Sequence, residues 1–187
     1  MLVIDSLSIH NKSWDAPTIF PRIFGLAVVE DIIFGFLLVY QIILFYEYFF
    51  DKGSKEIINS KMKYFVGLLL LIFSIFVFFL RFNSLRIPYF YFWSGLVLLV
   101  FPTILFLYFK KKMIRKFVKT GLYFFVLSLI FEMTGLYLKQ WHFLGNEFIA
   151  LITIFSYTFP IEEFIYWFIL FAIAILSYFE FFDDDMK

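Results

Sequence analysis

Apolar residues run almost unbroken through five stretches of this chain: about Ile23–Phe50, Tyr64–Leu80, Tyr89–Phe109, Phe117–Leu138 and Ile161–Phe182. Runs of this kind approach or exceed the ~20 residues that a helix needs to cross the hydrocarbon core of a bilayer. Polar or turn-forming segments separate them: Asp51–Lys63, Arg81–Pro88, a basic cluster from Lys110 to Lys119 that reads as a solvated loop, and the stretch holding Lys139, Trp141 and His142. The first 22 residues are mixed and turn-rich, with Trp14, Asp15, Pro17 and Pro21. Pro102 falls inside the third run, where a kink is expected and the membrane setting makes it tolerable. A shorter apolar piece, Phe148–Phe159, precedes the last run. As a helix it would reach only ~18 Å, short of the ~30 Å core, so it reads as a re-entrant or interfacial segment. The pattern therefore predicts an all-α fold: one integral membrane domain over residues 1–187, a polytopic helical bundle with about five full spans.

The first and last runs resemble each other. Val28–Lys52 (VVEDIIFGFLLVYQIILFYEYFFDK) aligns with Pro160–Asp184 (PIEEFIYWFILFAIAILSYFEFFDD) at a constant spacing, 162 − 30 = 132, with ten identities in 25 positions. About three would be expected by chance for spans of such skewed composition. Glu30 meets Glu162 and Asp31 meets Glu163. Upstream, after one insertion, Asp5 falls on Glu132, Lys12 on Lys139 and Trp14 on Trp141. The expected organisation is a direct internal repeat, its halves covering about 1–52 and 128–184. Internal pseudo-symmetry in membrane proteins commonly places the working site between the repeats.

Composition and charge narrow the chemistry. The 187 residues are 63% hydrophobic and 26% aromatic, and the mean hydropathy is +0.90. A net charge of +1 points away from nucleic acid. With no cysteine and only His10 and His142, the chain offers no thiolate nucleophile, no disulfide and no histidine-rich metal centre, and no cofactor is expected. The loops after the first and third runs hold ten Lys and Arg, and the opposite side holds five (Lys12, Arg22, Arg81, Arg86 and Lys139). The positive-inside rule puts the richer side in the cytoplasm and both acid pairs at the outer face. Arg22 and Lys139 read as interfacial snorkellers, and the acidic residues Asp183, Asp184 and Asp185 as a solvated end.

The candidate chemistry lies in Glu162-Glu163, directly after Pro160. Proline suits the first position of a helix, where its missing N–H has no partner to lose. Carboxylates are then favoured in the first turn by the helix dipole. Burial favours the neutral form of a carboxyl instead, and an acid pair held within a membrane is costly enough to read as functional. From the residues alone, Glu162-Glu163 is either a headgroup-level acid cap or a working pair, and its repetition as Glu30-Asp31 favours the second. Glu132, at the end of the fourth run, is either a third acid of the same cavity or a polar helix end.

PIEEFIYW, preceded by Glu132 and Trp141, resembles the P-x-E-E/D motif of the integral-membrane lycopene cyclase domain, known from heterodimeric or fused carotenoid cyclases of bacteria, archaea and fungi. RIFGLAVVEDIIFGFLL (Arg22–Leu38) is similar to that family's other half-motif, with Val28 where the motif has proline. The specific part of the likeness covers some forty residues. It implies a carotenoid end-group cyclase in a prokaryotic cell membrane, acting on a linear polyene by acid/base chemistry without net redox change. A partner subunit or homo-oligomer would complete the bundle. On that reading Glu162, Glu163, Glu30, Asp31 and Glu132 are the catalytic candidates. Trp141, Tyr166, Trp167 and Phe34 are the aromatic faces that would line the substrate and stabilise a passing cation. A carotenoid hydratase, or a non-catalytic transporter or scaffold subunit, is the alternative. An E-E-x-x-x-R intramembrane protease fits poorly, because Phe-Ile-Tyr-Trp follows the glutamates.

Overall fold

A computed structural model of the chain describes residues 2–51, 62–81 and 86–182. Expectations that fall on Lys52, Lys55, Lys61 and the acidic residues 183–185 lie outside the described residues. Six helices are present among the described residues: α1 (Leu2–His10), α2 (Val29–Phe50), α3 (Met62–Arg81), α4 (Phe90–Phe109), α5 (Lys111–Tyr137) and α6 (Ile161–Phe182). The last five are long and apolar enough to cross a membrane, whereas α1 has only nine residues. The chain is an integral membrane helical bundle.

Three boundaries differ from the sequence expectation. The first span starts at Val29, because Ile23 and Ala27 close a tight turn by mutual N–H···O bonds of 2.9 and 3.0 Å, with Phe24 and Gly25 at positive φ. The basic cluster is not a loop: α5 opens with a 3₁₀ turn at Lys111–Met113 and continues as α-helix from Ile114, so Arg115, Lys116 and Lys119 ride on its first turns. The fold is also not purely α-helical. Within Phe148–Phe159 and the following proline, β1 (Leu151–Ile154) and β2 (Tyr157–Pro160) pair antiparallel, Leu151 opposite Pro160 and Ile154 opposite Tyr157. β-Branched Ile152, Thr153, Ile154 and Thr158 suit extended backbone. Phe155 and Ser156, at φ 48° and 71°, supply the two positive-φ residues that a tight hairpin turn requires.

Ring contacts and hydrogen bonds set the helix directions. Phe34 of α2 lies 6.3 Å from Trp167 of α6, and Tyr46 bonds Glu180 further along both, so α2 and α6 run parallel. Phe34–Phe131 and Phe45–Tyr123 stack at 4.5 and 4.2 Å, which makes α5 antiparallel to them. The Tyr166 and Tyr178 hydroxyls donate to the Phe92 and Leu98 carbonyls at 3.1 and 2.9 Å, setting α4 parallel to α6. The starts of α2, α4 and α6 and the end of α5 therefore share one end of the bundle, and the hairpin joins α5 to α6 there. The chain has no cysteine, so single cysteines can report this arrangement cleanly. Cysteines placed at exposed Lys12 and Asn146 should be labelled from one side of sealed vesicles and a cysteine at exposed Lys112 from the other; labelling of all three from one side would overturn the topology.

The interior is small and aromatic. Ile42, Tyr46, Phe106, Phe117, Phe124, Ala172 and Leu176 pack together between α2, α4, α5 and α6. The outward faces are as apolar as the core: Leu70 and Phe78 of α3 are 62% and 59% exposed. Without a hydrophobic drive between helices, close approach and hydrogen bonds decide the packing. A Cβ on Gly95 would collide with the Tyr166 ring, and one on Gly121 would stand 2.9 Å from Ile173. Pro102 has no N–H to give the carbonyl four residues back, that of Leu98, and a π-helical turn at Leu96–Val100 widens α4 just before it. Tyr178 supplies the donor instead. Tyr178→Phe should therefore destabilise the protein by ~0.5–1.5 kcal/mol, and by measurably less in a Pro102→Ala background, where the alanine restores a backbone N–H. Equal costs in both backgrounds, read from denaturant unfolding, would refute that explanation.

The ends of α1 and α5 are built alike. Asn11 N–H donates to Leu7 O, Lys12 to Ile9 O and Ser13 to Ser8 O, at 2.9, 3.0 and 2.8 Å. Leu138 donates to Thr134 O, Lys139 to Leu136 O and Gln140 to Gly135 O, at 2.9, 3.2 and 2.8 Å. The spacing is constant, 134 − 7 = 136 − 9 = 135 − 8 = 127, and Lys12 and Lys139 both stand at φ 56°. The segments that follow then pair with each other: Asp15 and His142, also 127 apart, exchange N–H···O bonds of 3.0 Å in both directions.

Candidate functional site

Both acid pairs stand in the first turn of a parallel helix, and main-chain donors hold each first glutamate. Pro160, in extended conformation, precedes α6 and puts Glu162 and Glu163 at its start. They are 2% and 7% exposed. Glu162 Oε1 accepts the Ile149 N–H at 2.6 Å, from the segment entering the hairpin, and its Oε2 is buried without a partner. At the start of α2, Glu30 Oε1 accepts the Ile19 and Phe20 N–H groups at 2.6 and 3.1 Å. The outer oxygens Glu30 Oε2 and Asp31 Oδ2 are likewise buried and unpartnered, although both residues are half-buried overall. In each case a segment about a dozen residues upstream loops back to donate its N–H. The fixed oxygen orients the carboxyl group, and the other is left available. An unpaired polar atom away from water costs ~1–3 kcal/mol, so these orphaned oxygens mark where the fold tolerates a penalty.

Glu132 is 1% exposed and accepts the Trp141 indole N–H at 2.9 Å. That contact depends on Gly135, where a Cβ would run into the indole ring. Trp141 leads into a row of rings: Trp141 to Phe131 at 5.1 Å, Phe131 to Phe34 at 4.5 Å, Phe34 to Trp167 at 6.3 Å and Trp167 to Phe171 at 4.5 Å. The row crosses from the end of α5 over α2 to α6, and it gathers three of the four expected aromatic residues. Tyr166 stands apart, since adjacent helical residues point ~100° apart. It is turned to α4, seated on Gly95 and bonded to Phe92, and so serves helix packing. The seven residues after Glu163, Phe164–Leu170, are wound as a π-helix, a geometry that often accompanies functional sites.

Sequence reasoning passed over several members of this region. Phe131 and Phe171 were lost among many similar residues. Arg22, read as a snorkeller, is instead turned inward: its guanidinium holds Asp15 Oδ1 at 2.6 Å and the Ala16 and Leu26 carbonyls at 2.7 and 3.3 Å, which braces the loop before α2. Lys139 and His142 are exposed loop residues. Asp5 on α1 is 3% exposed, and its Oδ2 accepts the Val28 N–H at 2.6 Å. Burial pushes its carboxyl up to about 7; the Val28 N–H opposes this, neighbouring Asp31 adds to it and Arg22 opposes it. A separate recess of about 330 Å³ between α1 and α3, lined by Val3, Leu7, Ile72, Ile75, Phe76, Phe79 and Ile87, carries no acid, so the carboxylates mark the better candidate site.

No family model, curated protein or solved structure matches this chain.

Proposed function

We propose that this protein is an integral-membrane acid/base catalyst of the lycopene-cyclase kind, closing an end-group ring on a linear carotene in a prokaryotic cell membrane. The observation that carries this reading is the twofold occurrence of one device: a helix-start glutamate fixed by an upstream main-chain N–H, with its other oxygen buried and open and a second acid beside it. The matched hydrogen bonds at the ends of α1 and α5, and the mutual pairing of Asp15 with His142, support reading the chain as a direct repeat with halves at about 1–52 and 128–184. Both halves present their acids at the same end of the bundle.

Ring closure needs three events, and carboxyl groups can serve two of them. A neutral carboxylic acid donates a proton to the terminal double bond, leaving a tertiary cation. A neighbouring double bond attacks that cation, and the ring forms as a new cation develops. A carboxylate then removes a proton from the adjacent carbon and restores the double bond. Two acids held in different environments can divide these roles: Glu162 and Glu163 in one half, Glu30 and Asp31 in the other, with Glu132 beside them. The row Trp141, Phe131, Phe34 and Trp167 presents ring faces that suit a polyene and attract a passing cation. No electron is transferred, so the reaction requires no redox cofactor.

The test is expression in lycopene-accumulating cells, alone and with a candidate partner subunit, followed by pigment extraction. Cyclised carotene supports the proposal. A hydroxylated acyclic product would replace it with a hydratase, in which water captures the first cation. Unchanged lycopene at full membrane abundance would return the chain to a transporter or scaffold subunit.

A further inference from the structure

We propose that Asp5 is a positioning residue of the first acid pair, coupled by charge to Asp31 and tied through Val28 to the turn that carries both Glu30 and Asp31. This rests on reading Glu30 and Asp31 as site residues. At the shared spacing of 127, Asp5 stands where Glu132 stands in the second half, 132 − 5 = 127, and both are buried, at 3% and 1% exposure. Their wiring differs for a covalent reason. Val28 precedes α2 and has an N–H, which Asp5 Oδ2 takes at 2.6 Å; its counterpart Pro160 has none to offer. Glu132 takes the Trp141 indole N–H instead. Asp5 thus fastens α1 to the residue just before the Glu30-Asp31 turn, and its other oxygen, Oδ1, is buried without a partner.

The charged groups that act on Asp5 are Asp31 on α2, with Glu30 beside it, Arg22 in the segment before α2, already engaged with Asp15, and the α-amino group of the chain. The start of α4 packs on α1 and carries no charged side chain in Phe90–Gly95, only Tyr91 as a titratable group. A negative charge on Asp31 therefore opposes one on Asp5.

The test uses vesicle-embedded full-length protein and infrared difference spectra. A carboxylic-acid C=O band that is absent in Asp5→Asn identifies Asp5. Its midpoint near neutral pH should fall in Asp31→Asn, where the neighbouring negative charge is gone; an unmoved midpoint overturns the coupling. This readout requires no substrate, so it stands apart from the cyclase reading. In lycopene-accumulating cells Asp5→Asn keeps an acceptor for Val28, and should lower product on the order of tenfold, a size typical of coupled neighbours. The Asp5→Asn/Asp31→Asn double variant should fall little further. Full, additive losses, or wild-type yield in Asp5→Asn, would overturn the role. If Asp5→Asn fails to accumulate, Asp5→Glu identifies the band by its shift and Asp31→Asn still decides the coupling.

Discussion

Replacing Glu162 and Glu163 together by glutamine is expected to lower ring formation by ~10²–10⁴-fold, the usual cost of losing a positioned general acid or base, while membrane abundance stays at the wild-type level. The substitution keeps volume and hydrogen-bonding geometry. A glutamine carbonyl at position 162 can still accept the Ile149 N–H now held at 2.6 Å by Glu162 Oε1. What disappears is the ionisable proton. An acid cap that merely ended a hydrophobic span would lose only ~0.3–1 kcal/mol of helix-dipole interaction, too little to empty a pigment pool. The same exchange at Glu30 and Asp31 is expected to reduce yield less if the first half has turned structural, as its Val28 in place of the motif proline implies. Pigment composition, normalised to membrane abundance, decides the matter. Full activity in the Glu162→Gln/Glu163→Gln variant would discard this site without touching the fold.

Tyr46→Phe should be the most damaging single-atom change in the bundle. Tyr46 is 0% exposed, and its hydroxyl donates to the Glu180 carboxyl, itself 1% exposed. Its ring meets Phe117 edge-on at 5.8 Å, and Lys116, paired with Asp51, stands 5.9 Å above it. Removing the hydroxyl deprives a buried carboxyl of this donor deep in an apolar bundle. Neutral hydrogen bonds between membrane helices average only ~0.6 kcal/mol. A buried carboxyl acceptor that loses this one donor should lie higher, at ~1–3 kcal/mol. Denaturant titration in detergent measures the loss. Adding Glu180→Leu to Tyr46→Phe should recover part of it, since an apolar pair leaves no polar atom at this contact. Unfolding of Tyr46→Phe at the wild-type denaturant concentration would show the bond to be incidental.

The spans were legible because crossing a bilayer is a demand on composition: a run long and apolar enough announces itself, and five did. The acid turns were legible for a local reason too. Pro160 and the two glutamates after it suit the start of a helix, and Glu30-Asp31 copies them at fixed spacing. Other features had no local signature. The hairpin at Leu151–Pro160 was hidden in an apolar piece whose strand and helix readings compete over so short a length. The lysines at the start of α5 read as a loop, because charge marks the edge of the hydrocarbon and not the end of the helix.

Partner choice came only from the tertiary structure. Tyr46 with Glu180, Tyr178 with the Leu98 carbonyl, and Asp5 with the Val28 N–H join residues 134, 80 and 23 positions apart. In a soluble protein, hydrophobicity would have told buried faces from exposed ones. Here lipid is as apolar as the core, so a Phe facing Trp141 and a Phe facing the bilayer look the same along the chain. Composition and local pattern determined that the chain spans a membrane and where it concentrates acid. Only the packing of helices decided which of those acids are buried, which oxygens are fixed and which are left open, because those outcomes depend on close approaches between distant segments, such as those at Gly95 and Gly121.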